Sequence, residues 1–258
     1  MVALTPLVLS YNEQENITRT LAALSWAEEV VLVDSFSTDA TLELVRAAHS
    51  NVRVVQRKFD THTAQWNFGL DQVHTPWVLT LDADYEVSPE LGAEIARLQP
   101  DDAVAGYAAR FRFRVFGRPL RASVYPPRTV LFRRDRARYR EDGHTQLLAT
   151  DGPVRSLANV IYHDDRKPLS RWLQSQDRYM FIEAPHLLAA SAPDLSWQDR
   201  LRRRALLAPA LIFFYLMFSR GLILDGWPGW YYVFQRVLAE TLLALRIIVE
   251  RERLELPS

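Results

Sequence analysis

Two carboxylates one residue apart, Asp82 and Asp84, follow the apolar run Val78 to Leu81. Alternate residues of an extended segment lie on the same side, so the pair can face one ligand. A hard divalent ion such as Mn²⁺ or Mg²⁺ needs one or two protein carboxylates and completes its shell with water and phosphate oxygens. An Asp-X-Asp by itself is common in surface turns; its place at the end of an apolar run is what singles this one out. Polar residues close three similar runs: Tyr11, Asn12 and Glu13 follow Leu4 to Ser10, Asp34 and Ser35 follow Val30, and Arg57 follows Val52 to Gln56.

These clusters share a site only if the runs are neighbouring strands. Leu4 to Ser10, Val30 to Asp34, Val52 to Gln56 and Trp77 to Leu81, the last ending at Asp82, have the length and β-branched content of strands. Helical spacing fills the gaps, from about Glu13 to Leu24, from the N-cap candidates Ser37, Thr38 and Asp39 to about Ala48, and from Thr63 to Val73. Strands alternating with helices predict a Rossmann-like α/β parallel sheet, in which ligands bind beyond the carboxyl ends of the strands. None of the turns carries a glycine-rich phosphate fingerprint, which argues against dinucleotide oxidoreductases and P-loop enzymes.

The 258 residues suggest one large domain with an appendage, or two modest ones. A composition 48% hydrophobic and 24% charged is that of a globular chain. The absence of cysteine excludes disulfides, thiol catalysis and thiolate metal sites, leaving oxygen and imidazole as metal ligands. Balanced charge, 31 basic against 31 acidic residues, does not suggest a nucleic-acid partner. The first ten residues show no basic leader or small-residue cleavage site, so a cytosolic start is expected.

The segments SYNE (10 to 13), VDSFSTDAT (33 to 41) and LDAD (81 to 84) recur in this order in a known family. The chain resembles a family 2 glycosyltransferase with the GT-A fold. REDGHTQLL (140 to 148), YHDDRK (162 to 167), Arg171 with Trp172, and GWPGW (226 to 230) are similar to the bacterial lipopolysaccharide-core glucosyltransferase branch. The resemblance implies that Tyr11 and Glu13 border the nucleoside, that Asp34 hydrogen-bonds the base, and that Asp82 approaches ribose and diphosphate. It further implies that Asn67, within QWNFG, belongs to a helix packing behind the diphosphate, and that Asp84 binds the metal. Asp142 of the Glu141–Asp142 pair is implied as the base that takes the acceptor hydroxyl's proton, with Glu141 second. His163, at the end of another apolar run, matches a metal-binding histidine, which favours Mn²⁺, with His144 as the competing ligand. Two positions depart from the family pattern: Phe36 replaces a usual glycine, and no glycine precedes the QWN helix. Taken singly, each of these residues also fits a helix cap or a solvated turn.

Between Gly106 and Arg140 stand eleven arginines and one acid, Asp135. Arg110, Arg112 and Arg114 alternate with Phe111, Phe113 and Val115, so a strand would turn aromatic groups inward and cations outward, toward anionic acceptor groups. A merely solvated face is the alternative, because this chain uses arginine almost to the exclusion of lysine. Past residue 170 the pattern is helical. RLRRR (200 to 204) precedes an apolar, aromatic stretch broken by Pro209 and by Ser219 to Gly221. That composition predicts a helix lying in the interface of an anionic membrane, with burial, oligomer packing or a true span as alternatives.

The expected architecture is therefore a GT-A domain over 1–170 and a helical, membrane-associating region over 171–258. The expected activity is inverting, metal-dependent transfer of a hexose, with glucose expected, from a UDP-sugar to a glycolipid such as lipopolysaccharide inner core, on the cytoplasmic face of the inner membrane. A homo-oligomer is compatible with this. A polyprenyl-phosphate glycosyltransferase and a non-catalytic sugar-nucleotide-binding scaffold are the alternatives.

Overall fold

Four apolar runs become four parallel strands: β1 (Leu4–Ser10), β2 (Val30–Asp34), β3 (Val52–Gln56) and β4 (Trp77–Asp82). In this computed structural model, which describes residues 2–142, 145–191, 193 and 195–255, they lie in the order β3-β2-β1-β4. The sheet continues through β8 (Arg128–Arg133), β6 (Gly106–Val115), β11 (Val154–His163) and β5 (Tyr85–Val87). Strand β8 runs antiparallel to both β4 and β6, and β11 is parallel to β6. A separate hairpin pairs β9 (Ala137–Asp142) with β10 (Thr145–Thr150).

Side-chain alternation divides the core between two faces. Val8, Leu32 and Leu79 pack with Ile17 and Leu21 of α1 (Ile17–Ala22), Val45 of α2 (Thr41–Ala48) and Leu91 and Ile95 of α4 (Pro89–Ala96). Leu7, Val31, Val33 and Val78 pack instead on Trp66 and Leu70 of α3 (His62–Gln72). Each fully buried aliphatic contributes about 1.5–3 kcal/mol. Gly69 lets α3 lie directly on the sheet, since a Cβ there would come 2.7 Å from Leu7 Cδ1.

The local expectations need two corrections. Helix α1 starts four residues later than its spacing suggested, because Glu13 O accepts from both Asn16 N (2.9 Å) and Ile17 N (2.8 Å) and closes a turn first. The N-cap position of α2 is Ala40; Asp39 instead accepts from Thr41 N, while Ser37 and Thr38 bind Asp34 and Asn12.

The chain divides into two units, Met1–Gly117 with Val124–Arg166, and Arg118–Ser123 with Lys167–Ser258. The second holds β7 (Arg118–Pro119), α5 (Leu169–Ala189), α6 (Trp197–Arg203), α7 (Ala208–Phe214), which runs on into a π-helical turn (Tyr215–Ser219), and α8 (Trp227–Glu255). Ala184, Leu187, Leu243 and Ile247 form its core, and Arg202 pairs with buried Glu240 at 2.7 Å. Outside that core a chain of rings runs from Phe218 through Phe214, Phe213 and Trp230 to Phe234; Phe214, Phe218 and Phe234 are exposed, as are Leu224 and Trp227 nearby in sequence. Among the described residues no helix is long and apolar enough to cross a membrane.

Several of the arginines are held by partners within the chain. Arg114 pairs with Glu86 and lies over the Tyr162 ring, Arg133 pairs with Asp102, Arg138 with Asp71, and Arg121, in the second unit, with Asp225. Arg110 donates to Ala158 O. Pairing with scattered acids offsets the mutual repulsion that a single face would carry.

Candidate active site

The carboxyl ends of the parallel strands converge through register. Gln56, Asp34 and Ser10 stand side by side across β3, β2 and β1, and Leu9 of β1 stands opposite Asp82 of β4. Asp34 is fully buried (0% exposed) and its carboxylate is saturated. Ser10 Oγ (3.1 Å) and Ser37 Oγ (2.5 Å) donate to one oxygen, Ser37 N (2.9 Å) and Gln56 Nε2 (3.2 Å) to the other. Four donors fill the acceptor capacity of a carboxylate, so in this conformation Asp34 shapes the loop that follows it.

That loop interlocks with the one after β1. Asn12 N donates to Ser37 Oγ (2.8 Å), Thr38 N to Asn12 Oδ1 (2.7 Å), and Glu13 N to Thr41 Oγ1 (2.7 Å). Asn12 and Phe36 both take left-handed backbone (φ 54° and 61°). The tight turn for which a glycine is usual is therefore present, with a phenylalanine in it. Tyr11 and Phe36 remain 52% exposed, whereas Glu13 is buried and accepts from Asn16 Nδ2 at 3.0 Å.

A long-range strand pairing brings His163 to Asp84. β11 runs antiparallel to β5 with His163 opposite Tyr85, the residue after Asp84. His163 Nε2 lies 3.2 Å from Asp84 Oδ2. Tyr85 (5.0 Å), Phe113 (4.3 Å) and Tyr125 (6.0 Å) surround the imidazole, so aromatic packing orients the ring, and its buried Nδ1 has no partner among the described residues.

The donor set fits a divalent cation. Two ligands at about 2.1 Å and a right angle on an octahedral ion stand about 3 Å apart, close to the spacing of Asp84 and His163. One carboxylate and one imidazole suit Mn²⁺ better than Mg²⁺. Among the described residues no group of three histidine or acidic side chains is placed to hold an ion. The pair would need oxygens from outside the protein, which is how Mg²⁺ and Mn²⁺ sites on phosphates are completed.

The Glu141–Asp142 pair sits at the end of β9. Glu141 is exposed and accepts from Thr61 Oγ1 at 2.8 Å, the same hydroxyl that caps α3 by accepting from Ala64 N. The backbone of Asp142 stands opposite Thr145; its side chain, like all of His144, lies outside the described residues. Asn67 does not face outward. Its amide is bound at both ends to the backbone of Tyr139, and Tyr139 Oη donates to Thr80 Oγ1 (3.1 Å), two residues before Asp82.

A strand-end carboxylate cluster on this sheet is shared by many enzymes, and sequence likeness decides which. The family described as Glycosyl transferase family 2 matches residues 7–208, most of the chain. The chain belongs to that family.

Several relatives narrow the picture. The glycosyltransferase is 23% identical over 240 residues to the lipopolysaccharide core biosynthesis glycosyltransferase LpsC of Rhizobium meliloti, covering 88% of this chain and 84% of that protein. It is 40% identical over 101 residues to the undecaprenyl-phosphate 4-deoxy-4-formamido-L-arabinose transferase of Yersinia pestis, a match spanning 34% of this chain but only 30% of the relative. Among solved structures, the mannosyltransferase PcManGT of Pyrobaculum calidifontis, in complex with GDP-Man and Mn²⁺, superposes with a TM-score of 0.55 at 14% identity, covering 96% of this chain and 88% of that one. That likeness shows the fold, a GT-A-type mixed α/β sheet followed here by helices.

Electrostatics in the glycosyltransferase's site favour an added positive charge. Burial raises the pKa of Asp82, and the neighbouring charge of Asp84 raises it further. Burial of His163 disfavours its protonated form, yet the charge and hydrogen bond of Asp84, with Asp165 and Asp82 behind them, leave its pKa raised overall. Sequence reasoning missed Thr61, which ties Glu141 to α3, and the Tyr85–Tyr125 hydroxyl pair (2.7 Å) beneath the acidic cluster. A threonine one residue ahead of a helical pattern is a recognisable cap signal. Nothing local marks the tyrosine pair.

Proposed function

We propose that the protein is an inverting glycosyltransferase that moves a hexose, glucose in the favoured reading, from a UDP-sugar to a membrane-associated glycolipid such as lipopolysaccharide inner core. The Asp84–His163 approach beside Asp82, at the carboxyl edge of the sheet, is the observation that carries it. The likeness to a lipopolysaccharide core enzyme, over 88% of this chain and 84% of that protein, supports the acceptor class.

In this reading Tyr11 and Glu13 border the nucleoside, Asp82 faces ribose and diphosphate, and Asp34 and Asn67 act through the loop and strand they hold. Asp84 and His163 would hold Mn²⁺ or Mg²⁺, which offsets charge on the departing diphosphate. The acceptor oxygen bonds to the anomeric carbon from the face opposite the diphosphate, the bond to diphosphate breaks with its electron pair, and Asp142 takes the hydroxyl proton. Glu141, hydrogen-bonded to Thr61, is the second choice for base. The exposed aromatic chain of the second unit, with Arg118 over Trp227 and Arg220 near Tyr215, supports contact with an anionic membrane on its cytoplasmic side.

A polyprenyl-phosphate acceptor is the second reading, favoured by the 40% identical match to an undecaprenyl-phosphate transferase. Binding of a panel of nucleotide sugars with and without Mn²⁺, followed by transfer to core glycolipid or to undecaprenyl phosphate, tests both. Asp84→Ala should abolish transfer, and Asp142→Asn should keep nucleotide binding while losing about 10²–10⁴-fold in turnover. Full turnover by Asp142→Asn would move the base to Glu141, and failure of every sugar nucleotide to bind would refute the enzyme reading.

A further inference from the structure

Like Arg112, Arg128 is exposed and has no ion pair among the described residues; its place at the start of β8, over the Tyr125 ring, is what singles it out. Strand β8 pairs with β4 as far as Leu79 opposite Leu131, and one residue on Thr80 Oγ1 donates to Val130 O (3.3 Å), so the start of β8 lies toward the Asp82 end of β4. The Arg128 guanidinium lies over the Tyr125 ring, 4.6 Å from the centroid. Stacking engages the flat face of the group and leaves its in-plane N–H donors available.

The platform beneath it is fixed. Tyr125 shares a hydrogen bond with Tyr85 (2.7 Å), packs edge-on against Phe111 (5.0 Å) and reaches the His163 ring (6.0 Å). One aromatic ring therefore connects Arg128 to the Asp84–His163 pair. Arg128 is also near enough for its charge to act on Asp82, Tyr125 and Tyr139. An exposed guanidinium stacked on a ring near carboxylates, and bonded to none of them among the described residues, is arranged for an anion that enters with the substrate.

We propose that Arg128 is the phosphate-recognising residue of this site, presenting its guanidinium fork from the Tyr125 platform to a phosphate oxyanion on the Asp82 side. This rests on the glycosyltransferase reading above and adds to it a ligand group and a residue. The phosphate belongs either to the diphosphate of the donor or to a phosphorylated acceptor; the chemistry recognised is the same.

The test uses the full chain with Arg128→Gln and Arg128→Lys. Binding of uridine, UDP, inorganic pyrophosphate, undecaprenol and undecaprenyl phosphate, the lipids in detergent micelles, is measured with and without Mn²⁺. Arg128→Gln should weaken at least one phosphate-bearing probe about tenfold or more, leave uridine and undecaprenol unchanged, and be partly rescued by lysine. Loss on UDP and pyrophosphate assigns the donor, and loss on undecaprenyl phosphate alone assigns the acceptor; either supports the proposal. Unchanged binding of every phosphate probe, equal weakening of the phosphate-free probes, or no phosphate binding by the wild type overturns it. A wild type that binds pyrophosphate through Arg128 but no sugar nucleotide would fail the glycosyltransferase reading and leave the phosphate site standing.

Discussion

Asn67 grips the backbone of Tyr139 at both ends, its Nδ2 donating to Tyr139 O at 2.9 Å and its Oδ1 accepting from Tyr139 N at 3.1 Å. The side-chain amide thereby stands in for a neighbouring strand and fastens β9 to α3. Trp66 stacks on the Tyr139 ring beside it, with centroids 5.4 Å apart. Because β9 ends in Glu141 and Asp142, this clasp should position the acids it does not touch. Asn67→Ala should cost about 2 kcal/mol in chemical denaturation, from backbone groups left unpaired. It should lower kcat more than it weakens UDP binding. A variant with full kcat would show that β9 is placed by other contacts.

Proton and metal should compete at His163. Its pKa is raised, so in the metal-free protein the Asp84–His163 ion pair contributes stability in full below the ordinary histidine value of 6.5 and loses it as pH rises through the folded value. A metal needs the neutral ring, so Mn²⁺ affinity should climb with pH, by up to about tenfold per unit, and level off above the folded value. His163→Gln should flatten that dependence, and Asp84→Ala should weaken Mn²⁺ binding throughout. Titrations with Mn²⁺ at several pH values decide this; a flat wild-type profile would remove His163 from the ligand set.

Phe36 stands in the left-handed region, which costs a side chain with a Cβ about 1–2 kcal/mol. Both Phe36→Gly and Phe36→Ala lose the exposed ring, but only glycine escapes that cost. The glycine variant should be more stable than the alanine variant by about 1 kcal/mol in denaturant titrations. Equal stabilities would mean that the loop relaxes out of the left-handed turn.

The exposed aromatic chain of the second unit predicts peripheral binding to anionic bilayers. Full-length protein should float with vesicles rich in phosphatidylglycerol, and flotation should weaken as salt is raised. Replacing Phe214, Phe218, Leu224 and Trp227 by serine should leave the fold intact, since all four are exposed, and abolish flotation. Equal flotation of both proteins would refute the surface. A change in oligomeric state instead would identify it as a contact between copies.

Local pattern alone determined much of this protein. The runs Leu4–Ser10, Val30–Asp34 and Val52–Gln56 are strands with those same ends, because a buried parallel strand needs only a short apolar segment closed by polar residues. The candidate residues Asp34, Asp82 and Asp84 could be picked out for the same reason, each standing at the end of such a run. Partners were another matter. That His163 meets Asp84, 79 residues earlier, follows from the pairing of β11 with β5, and a one-residue slip there would turn the imidazole to the other face. That Asn67 serves Tyr139, that Glu141 rests on Thr61, and that Arg114, Arg133 and Arg138 find acids depends on which strands lie side by side. Register between distant segments is set by the packing of the whole sheet, and no spacing within one segment encodes it.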